Sequence, residues 1–290
     1  MRGVFLLLLS VLLVVTGACS RESPAASASK QNRVVVLSPA LAVIVRDLGY
    51  ADTVVARHAY DDVLPKELPA VGDQAGIDYE ALLRVKPTHV LVQWGSRELP
   101  ERLTQLATQN QWQITNLNPL QIEDIFLAVH RIDATLRKGN EPSLRCSELL
   151  NQIAEFRSAP KAAACGPVLL LASTNPPAAL GPGSCHDELL RAVGGQPAIS
   201  EGKPWIELSP EDLVRLQPRA ILLIRPRSAR GVTDADVPTT DPWEPLAKLQ
   251  LQALQTGSFA VIDDPEGLLP STSMIRVGEA MRKHLEAWRK

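Results

Sequence analysis

The sequence predicts an α/β protein in which two doubly wound, Rossmann-like lobes are joined by one long α-helix. Short apolar runs typical of buried strands alternate with amphipathic helices in residues 33–119 and again in residues 161–290. Between these halves, residues 120–160 keep a helical spacing of apolar side chains without any strand. In addition, one helix and its following strand in the first half have a counterpart in the second half.

In the first half, strand and helix follow one another from the start. The β-branched run RVVVL at residues 33–37 precedes a Ser-Pro turn, and apolar residues at helical spacing then continue to Gly49, a typical helix stop. Further strands are predicted at residues 54–56, 89–92 and 112–117, and further helices begin at Asp78, a suitable N-cap, and at Pro100. This alternation favours a parallel sheet.

The middle segment predicts a helical connector. Its first part places Ile125, Val129, Ile132 and Leu136 on one helical face. A break follows at residues 139–142 (GNEP), after which apolar residues at helical spacing continue to Phe156. A single helical connection between lobes predicts a small hinge motion rather than a wide closure.

The second half repeats the design of the first. Strands are predicted at residues 168–171, 220–224 and 259–262, and helices at residues 187–193, 210–216 and 273–288. Residues 78–91 resemble residues 209–222: each helix carries a carboxylate in its first turn, stops before a proline and leads into a buried strand. Two lobes of similar build are the simplest explanation.

The first 18 residues are typical of a signal peptide. Arg2 precedes an apolar run of about 12 residues, too short to span roughly 30 Å of hydrocarbon comfortably. Small residues then stand directly before Cys19, as in a bacterial lipobox, so we expect Cys19 to be lipidated; ordinary cleavage after Ala18 is the alternative. Either way the protein is exported, to the periplasm or the cell surface. Residues 19–32, rich in Ser and Ala, form a flexible tether.

Composition and motifs exclude several classes of function. The net charge is −2 with both signs scattered, which leaves no basic footprint for nucleic acid. The sequence lacks GxSxG, HExxH, P-loop and GxGxxG motifs. Residues 184–187 (SCHD) contain a nucleophile, a base and an acid, but side chains adjacent in sequence point apart and form no triad. We therefore expect neither an enzyme nor a bound cofactor.

The remaining cysteines are Cys146, Cys165 and Cys185. In an oxidising compartment they allow one disulfide and one free thiol, and the sequence leaves the pairing open. Their spacing matches no zinc pattern, so no metal site is expected.

Four segments, in order, resemble the periplasmic binding proteins of cobalamin, haem and iron-siderophore importers, the class with helically joined lobes (class III). The segments are RVVVLSPA at residues 33–40, LPAVGD at residues 68–73, HDELLRAVGG at residues 186–195 and KPWIELSPEDLV at residues 203–214. The resemblance covers nearly the whole mature chain. Trp94, Trp205 and TNPP at residues 174–177 bring it nearest to the cobalamin-binding proteins.

This resemblance implies a receptor that captures a corrinoid and delivers it to an ABC permease with its ATPase subunit. The receptor is expected to act as a monomer held to the membrane by its lipid anchor. Glu80 and Glu211, at equivalent places in the two repeats, are the glutamates that would dock on permease arginines. The alternative for both is helix capping or a solvated surface.

A ligand cleft should be lined by residues at the carboxyl ends of the strands and in the loops that follow. The candidates are Ser38, Pro39, Tyr60, Gln74, Trp94, Asn175, Trp205 and Asp263. The aromatic members can pack on the face of a macrocycle, although core packing is the alternative. His58 with Tyr60, or the Cys185-His186 pair, could instead ligate haem iron, but a lone histidine is more often solvated or hydrogen-bonded.

The ligand class stays open at two positions. Gln74 stands where the cobalamin binders have a stacking tryptophan, and Asp263-Asp264 lacks the arginine that follows in that family. Haem or a ferric siderophore is therefore the nearest alternative to a corrinoid. Two other classes of function are compatible with the sequence: an exported enzyme built on the same lobes, and a signalling receptor that passes its ligand to no permease.

Overall fold

Two sheets, one in each half of the chain, organise the computed structural model. It describes residues 31–73, 75–158, 166–226 and 241–288, so the predicted signal peptide, Cys19, Gln74 and Cys165 lie outside the described residues. From Asn32 onwards the described residues form one compact unit, and the two lobes are the parts of it built around each sheet.

The first lobe carries a four-stranded parallel sheet in the order β2-β1-β5-β6. Its elements, in chain order, are β1 (Val34–Leu37), α1 (Pro39–Asp47), β2 (Val54–Arg57), β3 (Gly72–Asp73), β4 (Gly76–Ile77), α2 (Tyr79–Arg84), β5 (His89–Val92), α3 (Glu101–Asn110) and β6 (Gln113–Asn116). The short strands β3 and β4 form a separate hairpin. The predicted alternation is confirmed here, and Asp78 caps α2 through hydrogen bonds from the amides of Glu80 and Ala81.

The connector consists of two helices, α4 (Ile122–Leu136) and α5 (Leu144–Ser158), rather than the one long helix that the sequence predicts. They are separated where the sequence breaks, because Gly139 adopts φ +122 and Pro142 cannot continue a helix. Helix α4 packs on α1 of the first lobe, and α5 packs back on α4. Each fully buried Leu or Ile on these helices, such as Ile125 and Ile132, contributes about 2 kcal/mol of hydrophobic stabilisation.

The second lobe carries a mixed sheet in the order β10-β8-β7-β11-β12, with β9 also paired to β7. Its elements are β7 (Pro167–Thr174), β8 (Pro177–Leu180), α6 (Cys185–Ala192), β9 (Gln196–Pro197), β10 (Trp205–Glu207), α7 (Pro210–Leu216), β11 (Ala220–Arg225), α8 (Gln252–Gln255), β12 (Phe259–Asp263) and α9 (Met274–Ala287). Strands β7, β11 and β12 are parallel, as the sequence predicts, but β8 and β10 pair antiparallel and extend one edge.

One hydrophobic core runs through both lobes. It contains apolar residues of β1 and α1 from the first lobe, of α4 and α5 from the connector, and of β7, β11, α6 and α9 from the second lobe. Two smaller clusters cover the outer faces of the two sheets. The lobes are therefore joined through a continuous packed interior as well as through the chain.

Candidate functional site

A cavity of about 410 Å³ lies at the carboxyl ends of the first-lobe strands and is here called the upper cavity. Four of the residues that the sequence predicts as ligand contacts line this cavity: Ser38, Pro39, Tyr60 and Trp94. The other lining residues are Leu37, His58, Gly72, Asp73, Ala75, Gly76, Ile77, Val92, Gln93 and Arg97. This is the position expected for ligand sites in parallel α/β sheets, where the loops after the strands converge.

A second cavity of about 410 Å³ lies between the lobes and is here called the lower cavity. Pro39 and Tyr60 line both cavities, which places the two side by side. The lower cavity takes Arg46, Asp62 and Val63 from the first lobe, and Pro226, Pro265, Glu266, Leu268 and Leu269 from the second. Together the two cavities form a cleft that reaches from the first-lobe strand ends to the second lobe.

The loop after β2 presents Tyr60 to this cleft. Buried Asp61 organises the loop, because its carboxylate accepts hydrogen bonds from the amides of Val63 at 2.9 Å and Leu64 at 3.2 Å. Burial raises the pKa of Asp61, and those amide bonds oppose the rise. Tyr60 itself stays 65% exposed, so its ring is available to a ligand.

Trp94 follows β5 and is fixed from two sides. Its backbone amide donates to Asn116 Oδ1 at 2.9 Å, and the guanidinium of Arg97 lies 5.1 Å from its ring centroid. A cation over an aromatic face is attracted by the ring quadrupole. The indole is therefore held in the wall of the upper cavity together with a positive charge.

The β3–β4 hairpin closes the other side of the upper cavity. A Cβ at Gly72 would lie 3.0 Å from the carbonyl oxygen of Gly76, so the close approach of the two strands requires glycine at residue 72. Asp73 Oδ1 accepts from the amides of Ala75 at 2.7 Å and Gly76 at 3.3 Å. Gln74 lies outside the described part of the chain.

His58 and Gln93 each make a hydrogen bond that fixes one end of the side chain. The Tyr60 amide donates to His58 Nδ1 at 3.2 Å, and Ser38 Oγ donates to Gln93 Oε1 at 2.6 Å. Ser38 also accepts the amide of Leu41 as the N-cap of α1. Burial lowers the pKa of His58, which is therefore neutral at pH 7.

Asp263 and its neighbour are paired with arginines from other elements. Asp263 binds Arg225 on the adjacent strand β11, with Nε to Oδ1 at 2.7 Å. Asp264 binds Arg276 of α9 at 2.7 Å. Both aspartates therefore have arginine partners on other elements, and Asp263 lines neither cavity.

Two further predicted residues lie away from both cavities. Trp205 is 52% exposed and lines a depression of about 450 Å³ that shares no lining residue with the upper or lower cavity. This depression abuts α7 through Asp212, Arg215 and Leu216. Asn175 is exposed in the turn between β7 and β8.

The Cys185-His186 pair is part of the second-lobe interior. His186 Nε2 donates to the carbonyl oxygen of Gly267 at 2.7 Å, and the side chain is 3% exposed. Burial lowers the pKa of His186 and raises that of Cys185 to about 12. Both groups are therefore neutral and enclosed. Ser184 caps α6, and Asp187 pairs with Arg191, so no catalytic arrangement is formed by these four residues.

Cys146 is also a buried free thiol. Burial, with the neighbouring Asp133, raises its pKa to about 11. Cys165 lies outside the described residues, but Cys146 and Cys185 are both free, so neither takes part in the disulfide that the sequence allows. Within the described ranges, no group of three or more His, Cys, Asp or Glu side chains is arranged to hold a metal ion. None of the helices in those ranges combines the length and apolarity of a bilayer span.

Glu80 and Glu211 occupy matching places on the two lobes. Each lies in the first turn of a short helix, α2 or α7, and each is exposed. The capping is done by other side chains, Asp78 in α2 and Ser209 in α7. Neither glutamate is therefore needed as a helix cap, and both carboxylates are available to a partner.

Sequence reasoning missed part of the cleft. Gln93 directly follows β5, so the rule that selected Trp94 applies to it equally. Arg46 and Glu266 had no such signal, because they pair across the lobes and are 220 positions apart in the sequence. Arg46 also binds Asp47, and Glu266 also binds Arg276 at 2.9 Å.

The chain is similar to known periplasmic binding proteins. It is 26% identical over 221 residues to a vitamin B12-binding protein of Pectobacterium atrosepticum, covering 73% of this chain and 76% of that protein. The crystal structure of periplasmic vitamin B12 binding protein BtuF of Vibrio cholerae matches with a TM-score of 0.67 at 18% identity, over 89% of this chain and 98% of that one. The periplasmic heme binding protein HutB of Vibrio cholerae matches with a TM-score of 0.65 at 17% identity, over 88% and 99%.

No family model matches the chain. The structural likenesses nevertheless cover nearly all of the described residues, and they confirm the class III fold predicted from the sequence. The resemblance on which that prediction drew is confirmed as well.

Proposed function

We propose that this chain is the substrate-binding component of an ABC importer, which captures a corrinoid of the vitamin B12 type between its lobes and delivers it to a membrane permease. The observation that carries the proposal is the cleft formed by the upper and lower cavities, which lies between two lobes with the fold of B12-binding and haem-binding receptors. The sequence relative named for vitamin B12 binding supports the corrinoid over other ligands.

The lining of the cleft suits a large, partly apolar ligand. Tyr60 and Trp94 offer aromatic faces, while Pro39, Leu268 and Leu269 offer aliphatic surface. Such surfaces stack on a flat macrocycle and gain free energy from the apolar area removed from water. Ser38 and Gln74 remain proposed ligand contacts. Asn175, Trp205 and Asp263 line neither cavity and remain proposed contacts only for a part of the ligand that extends beyond the cleft.

Binding without chemistry is part of the proposal. In the Ser-Cys-His-Asp segment at residues 184–187, Cys185 and His186 are enclosed and neutral, which supports a binding role over an exported enzyme. Export itself is supported by the periplasmic relatives. A lipid anchor on Cys19, a tether at residues 19–32, and a monomeric state complete the proposed arrangement.

The deciding experiment is a titration of the purified chain. Intrinsic tryptophan fluorescence should change on adding cyanocobalamin, because Trp94 lies in the cleft wall. Saturable binding with one ligand per chain supports the proposal. A titration in which haemin binds and cyanocobalamin does not would reassign the ligand, and turnover of any added ester would point to an enzyme.

A haem-binding receptor is the second candidate, and one observation favours it. The rings of His58 and Tyr60 lie 5.8 Å apart at the cleft, and histidine and tyrosine are both known haem-iron ligands. Absorbance of the protein purified with its natural ligand separates the candidates, since corrinoids, haem and ferric chelates have different spectra.

A further inference from the structure

The orientation of His58 follows from its hydrogen bond. A backbone amide can only donate, so the Tyr60 amide at 3.2 Å makes His58 Nδ1 an acceptor. A neutral imidazole carries one proton, which must then reside on Nε2. The backbone around His58 is also held, because its carbonyl accepts from Arg57 Nη1 at 3.0 Å and from the Asp61 amide at 3.1 Å.

The orientation of Gln93 follows from the cap of α1. Ser38 Oγ accepts the amide of Leu41, and its own hydroxyl proton goes to Gln93 Oε1 at 2.6 Å. With the carbonyl end of the side-chain amide engaged, the two hydrogens of Nε2 remain free to donate. Both residues line the upper cavity. Among the described residues, neither Gln93 Nε2 nor His58 Nε2 is enclosed without a hydrogen-bond partner.

The charges in the upper cavity also favour a lining of hydrogen-bond donors, here called the donor wall. Arg97 contributes a guanidinium stacked on Trp94. Asp73 is the one carboxylate among the described lining residues, and two backbone amides already engage its Oδ1. The wall therefore presents N–H groups from three side chains and little competing negative charge.

We propose that the first-lobe wall of the cleft binds acceptor oxygens on the rim of the ligand, amide carbonyls or carboxylates, through His58 Nε2–H and Gln93 Nε2–H. This inference rests on the proposed function, because it concerns the same cleft. It also assigns His58 a role other than iron ligation, since a protonated Nε2 has no lone pair for a metal. Corrin amides and haem carboxylates both offer such oxygens, and the experiment distinguishes them.

The test is the substitution Gln93→Glu, which preserves shape and the bond from Ser38 but turns the donating nitrogen into an anionic oxygen. We expect its affinity for cyanocobalamin to fall about tenfold or more, the effect of an unpaired, repelled polar group. Gln109→Glu is the control. Gln109 is exposed on α3, so this substitution adds the same charge away from the cleft. His58→Phe should weaken binding similarly, and thermal unfolding checks that each variant is folded.

The outcomes separate the inference from the proposed function. If the unchanged chain binds cyanocobalamin and both variants bind it equally well, the donor wall is wrong and the receptor role stands. If the unchanged chain binds neither cyanocobalamin nor haemin, the proposed function fails, and the donor wall fails with it. In the haemin arm, a Soret band that changes with His58→Phe would show iron ligation and overturn the inference.

A second measurement needs no ligand. Long-range ¹H–¹⁵N correlation spectra of the labelled chain report which imidazole nitrogen carries the proton, and His58→Phe assigns the signal. An unprotonated Nδ1 with a protonated Nε2 is expected. The opposite tautomer would overturn the inference even if affinity fell.

Discussion

Tyr60 stands where the upper and lower cavities meet, with most of its ring exposed. Tyr60→Ala should therefore leave thermal stability unchanged and lower the affinity for cyanocobalamin about tenfold, through lost stacking. Tyr60→Phe keeps the ring and should bind like the unchanged chain in the same fluorescence titration. If Phe weakens binding as much as Ala does, the hydroxyl and not the ring makes the contact.

Asp133 anchors the connector and is fully buried. Burial alone would raise its pKa, but hydrogen bonds from Ser143, Tyr50 and Arg137 outweigh this effect and lower it. Asp133→Asn should reduce the free energy of unfolding at pH 7 by about 3 kcal/mol, measured by urea denaturation. Asp52→Asn, at an exposed aspartate two residues after Tyr50, should change it little.

The pH dependence of this loss has a defined sign. A lowered pKa means that Asp133 stabilises the fold fully above its ordinary pKa of 3.8, and that this contribution is lost as the pH falls through the lowered value. The difference between the unchanged chain and Asp133→Asn should therefore shrink below about pH 4. A difference that grows on acidification would contradict the assignment.

At the scale of elements, α2 and α7 present Glu80 and Glu211. The double variant Glu80→Ala, Glu211→Ala should abolish ligand uptake in cells while leaving cyanocobalamin affinity intact, because both glutamates are exposed and line neither cavity. Glu141→Ala, on the exposed turn between α4 and α5, is the control for lost surface charge. Normal uptake by the double variant would favour a signalling receptor without a permease.

The longer elements were predictable because their apolar periodicity is strong. The β-branched run at residues 34–37 is typical of a buried strand, and the spacing from Ile122 to Leu136 is typical of a helix. Strands β8, β9 and β10 were missed, since they have four, two and three residues and offer no period to detect. Strands β8 and β9 pair with β7, and β10 pairs with β8, and local sequence does not encode these contacts.

At the scale of the whole molecule, Arg46 of the first lobe binds Glu266 of the second, and both residues line the lower cavity. Burial alone would raise the pKa of Glu266, but Arg46 and Arg276 lower it. A double-mutant cycle with Arg46→Met and Glu266→Gln should give a coupling of about 2 kcal/mol in urea unfolding. The exposed pair Asp62 and Lys66 is the control, with an expected coupling below about 0.5 kcal/mol. Equal coupling energies for the two pairs would show that Arg46 and Glu266 stabilise the fold no more than an exposed ion pair does.

The candidate site was only partly predictable from the sequence, because part of it depends on contacts between the lobes. Ser38, Pro39, Tyr60 and Trp94 follow first-lobe strands, so the topology of a parallel sheet brings them to one edge. The second-lobe side depends on how the lobes dock, and its residues Leu268 and Leu269 follow β12 by several positions with no motif to single them out.

The core that runs through α1, α4, α5, α6 and α9 has a consequence for how the protein melts. Two domains linked by a bare tether would denature independently, each at its own temperature. Here neither sheet can lose its covering helices without exposing the interior of the other, so calorimetry should record a single cooperative transition. Neither half would then survive as an autonomous fragment, and the folded receptor exists as a whole or not at all.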